Sequence, residues 1–151
     1  MSQSEVAKKA WVTIRRRAPG KKARLTDRTT ETLRRALTMR AAKRWKLVSF
    51  RGEGGGEWRG IVDILAIRKS TGRSDHSVLK AGDLFEMILI QAKGGSARKP
   101  KSEDLKRLLA VKRRYRASEI VLFRWRREKE CSFSKLKHGE WASSSATELF
   151  G

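Results

Sequence analysis

Cysteine is nearly absent from this 151-residue chain. Cys131 stands alone, which excludes an internal disulfide framework and any zinc site built on paired thiolates. Histidine is almost as scarce. His76 and His138 have no Cys, Asp or Glu at ligand or catalytic spacing, so both read as loop residues. No run of about 18 apolar residues is present to span a bilayer, and no basic helix carries a broad apolar face to lie on one, so no membrane partner is expected. The opening MSQSEVAKKAW lacks the apolar centre of a secretory signal, and the expected location is the cytoplasm. Acidic residues are the largest deficit: 16 Asp and Glu face 37 Lys and Arg, a formal charge of +21. Self-repulsion of that size is best tolerated beside an anionic partner. Nucleic acid is the leading candidate.

What apolar residues there are fall into definite runs, which marks a folded domain with a polar skin rather than a disordered chain. Residues 1–25 carry two basic bursts, Lys8-Lys9 and Arg15-Arg16-Arg17, without helical periodicity, and read as a basic arm. Residues 26–151 form one domain. Thr26 and Asp27 are N-cap types, and Leu33, Ala36, Leu37 and Ala41 follow at helical spacing, predicting a helix over Asp27 to Arg44. Lys46 to Arg51 is a strand candidate closed by the glycine-rich Gly52 to Gly56. Gly60 to Arg68 reads as a buried strand with Asp63 in its middle, and Asp83 to Lys93 as another, ended by Gly94-Gly95. Ser102 is placed to cap a helix with Glu103 and Asp104 in its positive first turn, Glu119 to Phe123 is a further strand, and Cys131 to Trp141 suggests a last strand or hairpin. The order helix, three strands, helix, strand predicts an α/β domain with a mixed central sheet flanked by helices.

Chemistry is concentrated at three positions. Gln91 and Lys93, two apart on a strand, emerge on one face at its glycine-marked end. Asp63 lies inside an apolar run, where an unpaired carboxylate is costly unless a cation or donors meet it. A divalent ion held by the Asp63 carboxylate, the Gln91 side-chain carbonyl, a backbone carbonyl, waters and a scissile phosphate would supply a reason, with Lys93 orienting the attacking water or neutralising developing charge. The competing reading makes Asp63 a turn cap or the partner of a core Arg, Lys93 a solvated strand end, and Gln91 a satisfier of a backbone group.

With Asp63 and Gln91-Ala92-Lys93 in this order, residues 27–126 resemble the PD-(D/E)XK nuclease superfamily, in particular its Holliday-junction-resolvase-like and Mrr-like restriction-endonuclease-like members. The resemblance implies a restriction-endonuclease-like core (αβββαβ), with Asp63 and Gln91 as metal ligands, Lys93 as a catalytic residue, and Mg²⁺ or Mn²⁺ as the cofactor. Gln91 departs from the usual Asp or Glu, as in the QXK variant of Mrr-like enzymes, and weakens the site's charge. Members also carry a Glu on the first helix, which points to Glu31; that residue also has Arg34 and Arg35 at salt-bridge spacing. Glu57, just ahead of the Asp63 strand, is a second acidic candidate.

For phosphate binding the candidates are Arg15, Arg16 and Arg17 on the arm and Lys99, Lys101, Lys106, Arg107, Arg113 and Arg114 around the second helix. Trp125, among arginines, is either a stacking platform or core. The implied activity is DNA phosphodiester hydrolysis on ordinary or branched substrates, for which a homodimer is the simplest way to cut two strands. Two alternatives stay open: a nucleic-acid-binding protein that keeps the nuclease fold without its chemistry, and a basic RNA-binding protein.

Overall fold

The computed structural model describes residues 21–50, 60–72, 75–126 and 129–151, and the side chains of residues 29–50, 60–72, 75–126 and 131–151. The elements run α1 (Lys21–Ala36), α2 (Met39–Arg44), β1 (Lys46–Ser49), β2 (Ile64–Lys69), β3 (Phe85–Gly94), α3 (Ser102–Tyr115), β4 (Glu119–Arg126), β5 (Lys129–Lys137), β6 (Glu140–Ser144) and α4 (Ala146–Phe150). Among the described residues the strands form a single six-stranded sheet in the order β1-β2-β3-β4-β5-β6. All neighbours are antiparallel except β3 and β4, which are joined through α3, since parallel strands need a crossover of that length. The domain is α/β with a mixed sheet, as its pattern of elements predicts. No described helix is long and apolar enough to cross a membrane.

Alternation along the strands divides the core. Ile64 and Ala66 on β2, Ile88 and Ile90 on β3, and Val121 and Phe123 on β4 pack with Leu33, Leu37, Ala41 and Trp45 from the α1–α2 side and with Leu149 and Phe150. On the other face Leu89 and Ile120 meet Leu108, with Leu105, Leu109 and Val111 of α3 at their margins. Leu108 is fully buried, and it anchors an otherwise strongly charged helix through a gain of roughly 1.5–3 kcal/mol.

The first helix differs from expectation at both ends. It reaches back to Lys21, past the proposed caps Thr26 and Asp27, because Lys, Ala, Arg and Leu all favour the helix. It then breaks after Ala36. Thr38 takes an extended conformation, and its hydroxyl accepts the Ala41 N–H at 3.2 Å, capping a separate α2. At α3, the cap position belongs to Lys101 rather than Ser102; Asp104 accepts the Lys101 N–H at 3.1 Å and holds the first turn from within.

The tail is a tight hairpin. β5 and β6 are joined by His138 and Gly139, both at positive φ (53° and 82°), the conformation that suits a two-residue turn to the twist of its strands. The short α4 closes the domain. Its Ser145 cap accepts the Glu148 N–H at 3.1 Å, Phe150 is completely buried, and the Trp45 indole donates to the Phe150 carbonyl at 3.0 Å. Ser144 and Lys135 both donate to the Glu148 carboxylate.

Candidate active site

Asp63 sits at a bend directly before β2, not in the middle of a strand. A short, charged side chain is a poor strand residue, and the ladder pairing Ile64 with Ile90 is the last before it. Asp63 is nonetheless fixed. Its N–H donates to the Ile90 carbonyl at 3.0 Å, its carbonyl accepts from Phe50 at 3.5 Å, and its carboxylate Oδ2 accepts the Ala92 N–H at 2.8 Å. The last bond places the carboxylate against the residue between Gln91 and Lys93.

Those two side chains share the Leu89 face of β3, the face covered by α3. Gln91 is only 4% exposed, and its Oε1 is sealed from solvent with no hydrogen-bond partner. Among the described side chains only the Trp141 indole nitrogen is in the same position. Stranding a buried carbonyl oxygen costs about 1–3 kcal/mol. Lys93, half-buried, stands level with Arg124 of β4 just as Gln91 stands level with Leu122. Two cations thereby flank the carboxyl ends of the parallel strands, where open α/β sheets hold their ligands. The Arg124 guanidinium donates to the Ala97 carbonyl at 3.4 Å and so ties the turn after β3 to β4. Gly95, at φ 61°, makes that turn, donating its N–H to the Trp125 carbonyl at 3.1 Å.

Arg124 is a neighbour of the site that sequence reasoning treats only as basic flanking of Trp125. The alternation Ile120, Leu122, Arg124 is the signal that could have found it. Trp125 is core: it is half-buried, packs on the larger cluster, and donates its indole N–H to the Thr29 hydroxyl at 2.9 Å.

Glu31 is exposed on α1, where it pairs with Arg34 at 3.6 Å and Arg35 at 3.3 Å. Neither pairing brings it to Asp63. Glu57 and the arm residues Arg15, Arg16 and Arg17 lie outside the described residues. Lys99, Lys101, Lys106, Arg107, Arg113 and Arg114 are all exposed. Lys106, Arg113 and Arg107, Arg114 recur at seven-residue intervals along the outer surface of α3, opposite Leu105 and Leu108.

Among the described residues no three His, Cys, Asp or Glu side chains gather to hold a metal. The donors present are one carboxylate and one amide oxygen, hard ligands of the kind Mg²⁺ accepts when water and phosphate oxygens complete its shell. The unpartnered Gln91 Oε1 and the tethered Asp63 carboxylate are of the chemistry that fits such an ion. No protein-family model matches the chain, and no curated protein matches it at a significant level.

Proposed function

We propose that this protein is a Mg²⁺-dependent DNA endonuclease, of ordinary or structure-selective type, whose hydrolytic site is Asp63, Gln91 and Lys93. One observation carries the reading: a buried amide oxygen without a partner on Gln91, one residue along β3 from the Ala92 N–H that fixes the orientation of the Asp63 carboxylate, at the carboxyl ends of two parallel strands. A fold with no use for that oxygen would replace it with an apolar side chain at little cost. The element order adds support. Helices α1 and α2, three strands, a helix and a strand follow one another, with Asp63 directly before the second strand and Gln91-Ala92-Lys93 at the end of the third, an order in keeping with a restriction-endonuclease-like core.

Asp63 and Gln91 would hold the ion, which when bound supplies Lewis-acid polarisation of the phosphate and a more acidic water. Asp63 cannot swing away, because the Ala92 N–H holds one of its oxygens. The Lys93 ammonium faces the charge that builds on the phosphate as the water oxygen bonds to phosphorus and the bond to the leaving sugar oxygen breaks. Solvent takes the proton lost by the water and supplies the one gained by the leaving oxygen. The exposed cations of α3 with Lys99 and Lys101 grip flanking phosphates, and a two-fold dimer would bring one such site to each strand of a duplex.

A second reading, nucleic-acid binding without turnover, draws on the absence of a three-ligand cluster among the described residues. Cleavage of linear, circular, single-stranded and branched DNA, with an RNA control, in Mg²⁺ or Mn²⁺ separates the two. The expected result is cutting by wild type and none by Asp63→Asn or Lys93→Ala, both of which still fold and bind. Asp63→Ala, which strands the Ala92 N–H, additionally loses about 1–3 kcal/mol of stability. DNA left intact by the wild-type protein in both metals would remove the nuclease reading and leave the binding one.

A further inference from the structure

At the other end of the sheet, Lys46, Lys69 and Phe85 stand exposed on the α3 face of β1, β2 and β3. The register sets Lys46 opposite Ile67 and Lys69 opposite Phe85, so all four side chains share that face. Ile67 and Phe85 are diagonal neighbours flanked by the two lysines. Phe85 is 60% exposed, an unusual state for a phenylalanine. A cleft of about 450 Å³ is lined here by Arg44, Lys46, Ile67, Arg68, Lys69 and Phe85, within the roughly 300–1,000 Å³ span of small-ligand sites. Among the described residues no carboxylate lines it. Arg68 is occupied by Glu86 at 2.6 Å and by the Trp45 ring, 4.4 Å from its centroid; none of the described ion pairs uses Arg44, Lys46 or Lys69. An adjoining cleft of about 300 Å³ shares Lys46 and adds Lys43.

We infer that this groove binds an unpaired nucleotide of a nucleic-acid strand, with the base stacked on Phe85 against Ile67 and the flanking phosphates on Arg44, Lys46 and Lys69. A basic track with one exposed aromatic is the combination that single strands reward, because every base offers a π-face and every linkage a charge. Ordinary duplex binding has no use for the phenyl ring. The groove lies at the end of the sheet opposite Asp63, Gln91 and Lys93, and its occupation does not depend on hydrolysis.

The test is fluorescence anisotropy of a labelled 15-nucleotide oligothymidine and of a blunt 15-base-pair duplex, in EDTA so that nothing is cut. Phe85→Ala should weaken single-strand binding about 5- to 100-fold and leave duplex binding within twofold. Phe85→Trp should restore it, with indole quenching on addition of the oligonucleotide that the wild type does not show. Lys46→Glu with Lys69→Glu should reproduce the loss selectively. Equal losses on both substrates, or unchanged single-strand binding while the duplex is still held, would overturn the groove without touching the nuclease reading. A sedimentation shift from dimer to monomer in Phe85→Ala would assign the patch to a second copy of the chain and overturn it as well.

Discussion

Replacing Gln91 by methionine isolates the cost of the stranded oxygen. Methionine nearly matches glutamine in volume and unbranched shape, and no side-chain hydrogen bond is described for Gln91, so the substitution gives up no partner. What it removes is a carbonyl oxygen held away from water in a residue 4% exposed, a burden of about 1–3 kcal/mol. For a domain of this size each kcal/mol moves the melting temperature by about 2–4 °C. Gln91→Met is therefore expected to melt roughly 2–12 °C above wild type in chelator. Titration with Mg²⁺ or Mn²⁺ should reverse the order of response. Wild type gains stability as the ion fills its site, about 2.7 kcal/mol at one hundred times the Kd, whereas Gln91→Met gains almost nothing and cuts no DNA. Differential scanning fluorimetry across a metal series reads both effects in one experiment. A variant that melts lower than wild type in chelator and keeps the full metal response would refute the assignment, since Gln91 would then be a structural amide.

Two further expectations follow from the charges. The Lys135 hydrogen bond, then that of Ser144, hold the Glu148 carboxyl below its ordinary 4.5, and the Glu148 hydrogen bond raises Lys135 above its ordinary 10.5. The carboxylate's contribution is full above pH 4.5 and is lost as the pH falls below it; the ammonium's is full below pH 10.5 and lost as the pH rises beyond it. Chemical denaturation of wild type against Glu148→Gln should show a gap between those limits that closes outside both. On α3, neutralising Lys106, Arg107, Arg113 and Arg114 together should flatten the salt dependence of DNA affinity by about 0.9 in log–log slope for each phosphate the protein no longer neutralises, with an unchanged slope ruling the stripe out as the grip.

Patterns of burial are legible in the sequence wherever periodicity is strong. Ile88 to Ile90, Val121 to Phe123 and the Leu105-Leu108-Leu109 face all lie where alternation or helical spacing puts them. Boundaries set by competing local bonds are not. Thr38 diverts the backbone into a new cap amid a continuing apolar pattern, and Asp63 takes an N–H from a strand 29 residues away, a bond that no window of sequence contains. The unexpected α4 has a signal in Ser145 and Glu148, three apart before Leu149 and Phe150, the spacing of a capping box. The basic groove is illegible because Lys46, Lys69 and Phe85 become neighbours only through pairing register. The type and order of the site residues are readable, whereas the solitude of the Gln91 oxygen is a property of packing.

The bond from Ala92 to Asp63 has a consequence for how this region can change over time. It terminates a ladder of six residue pairs between β2 and β3, and strand side chains alternate with a period of two. Slipping β3 by one residue would carry Gln91 and Lys93 to the α1 side, and bring Ile90 and Ala92 under α3. One inserted or deleted residue between Phe85 and Gln91 would do the same. Length changes in this strand are therefore admissible only in pairs, while the Ser70 to Leu84 connection, outside the ladder, is free of that parity.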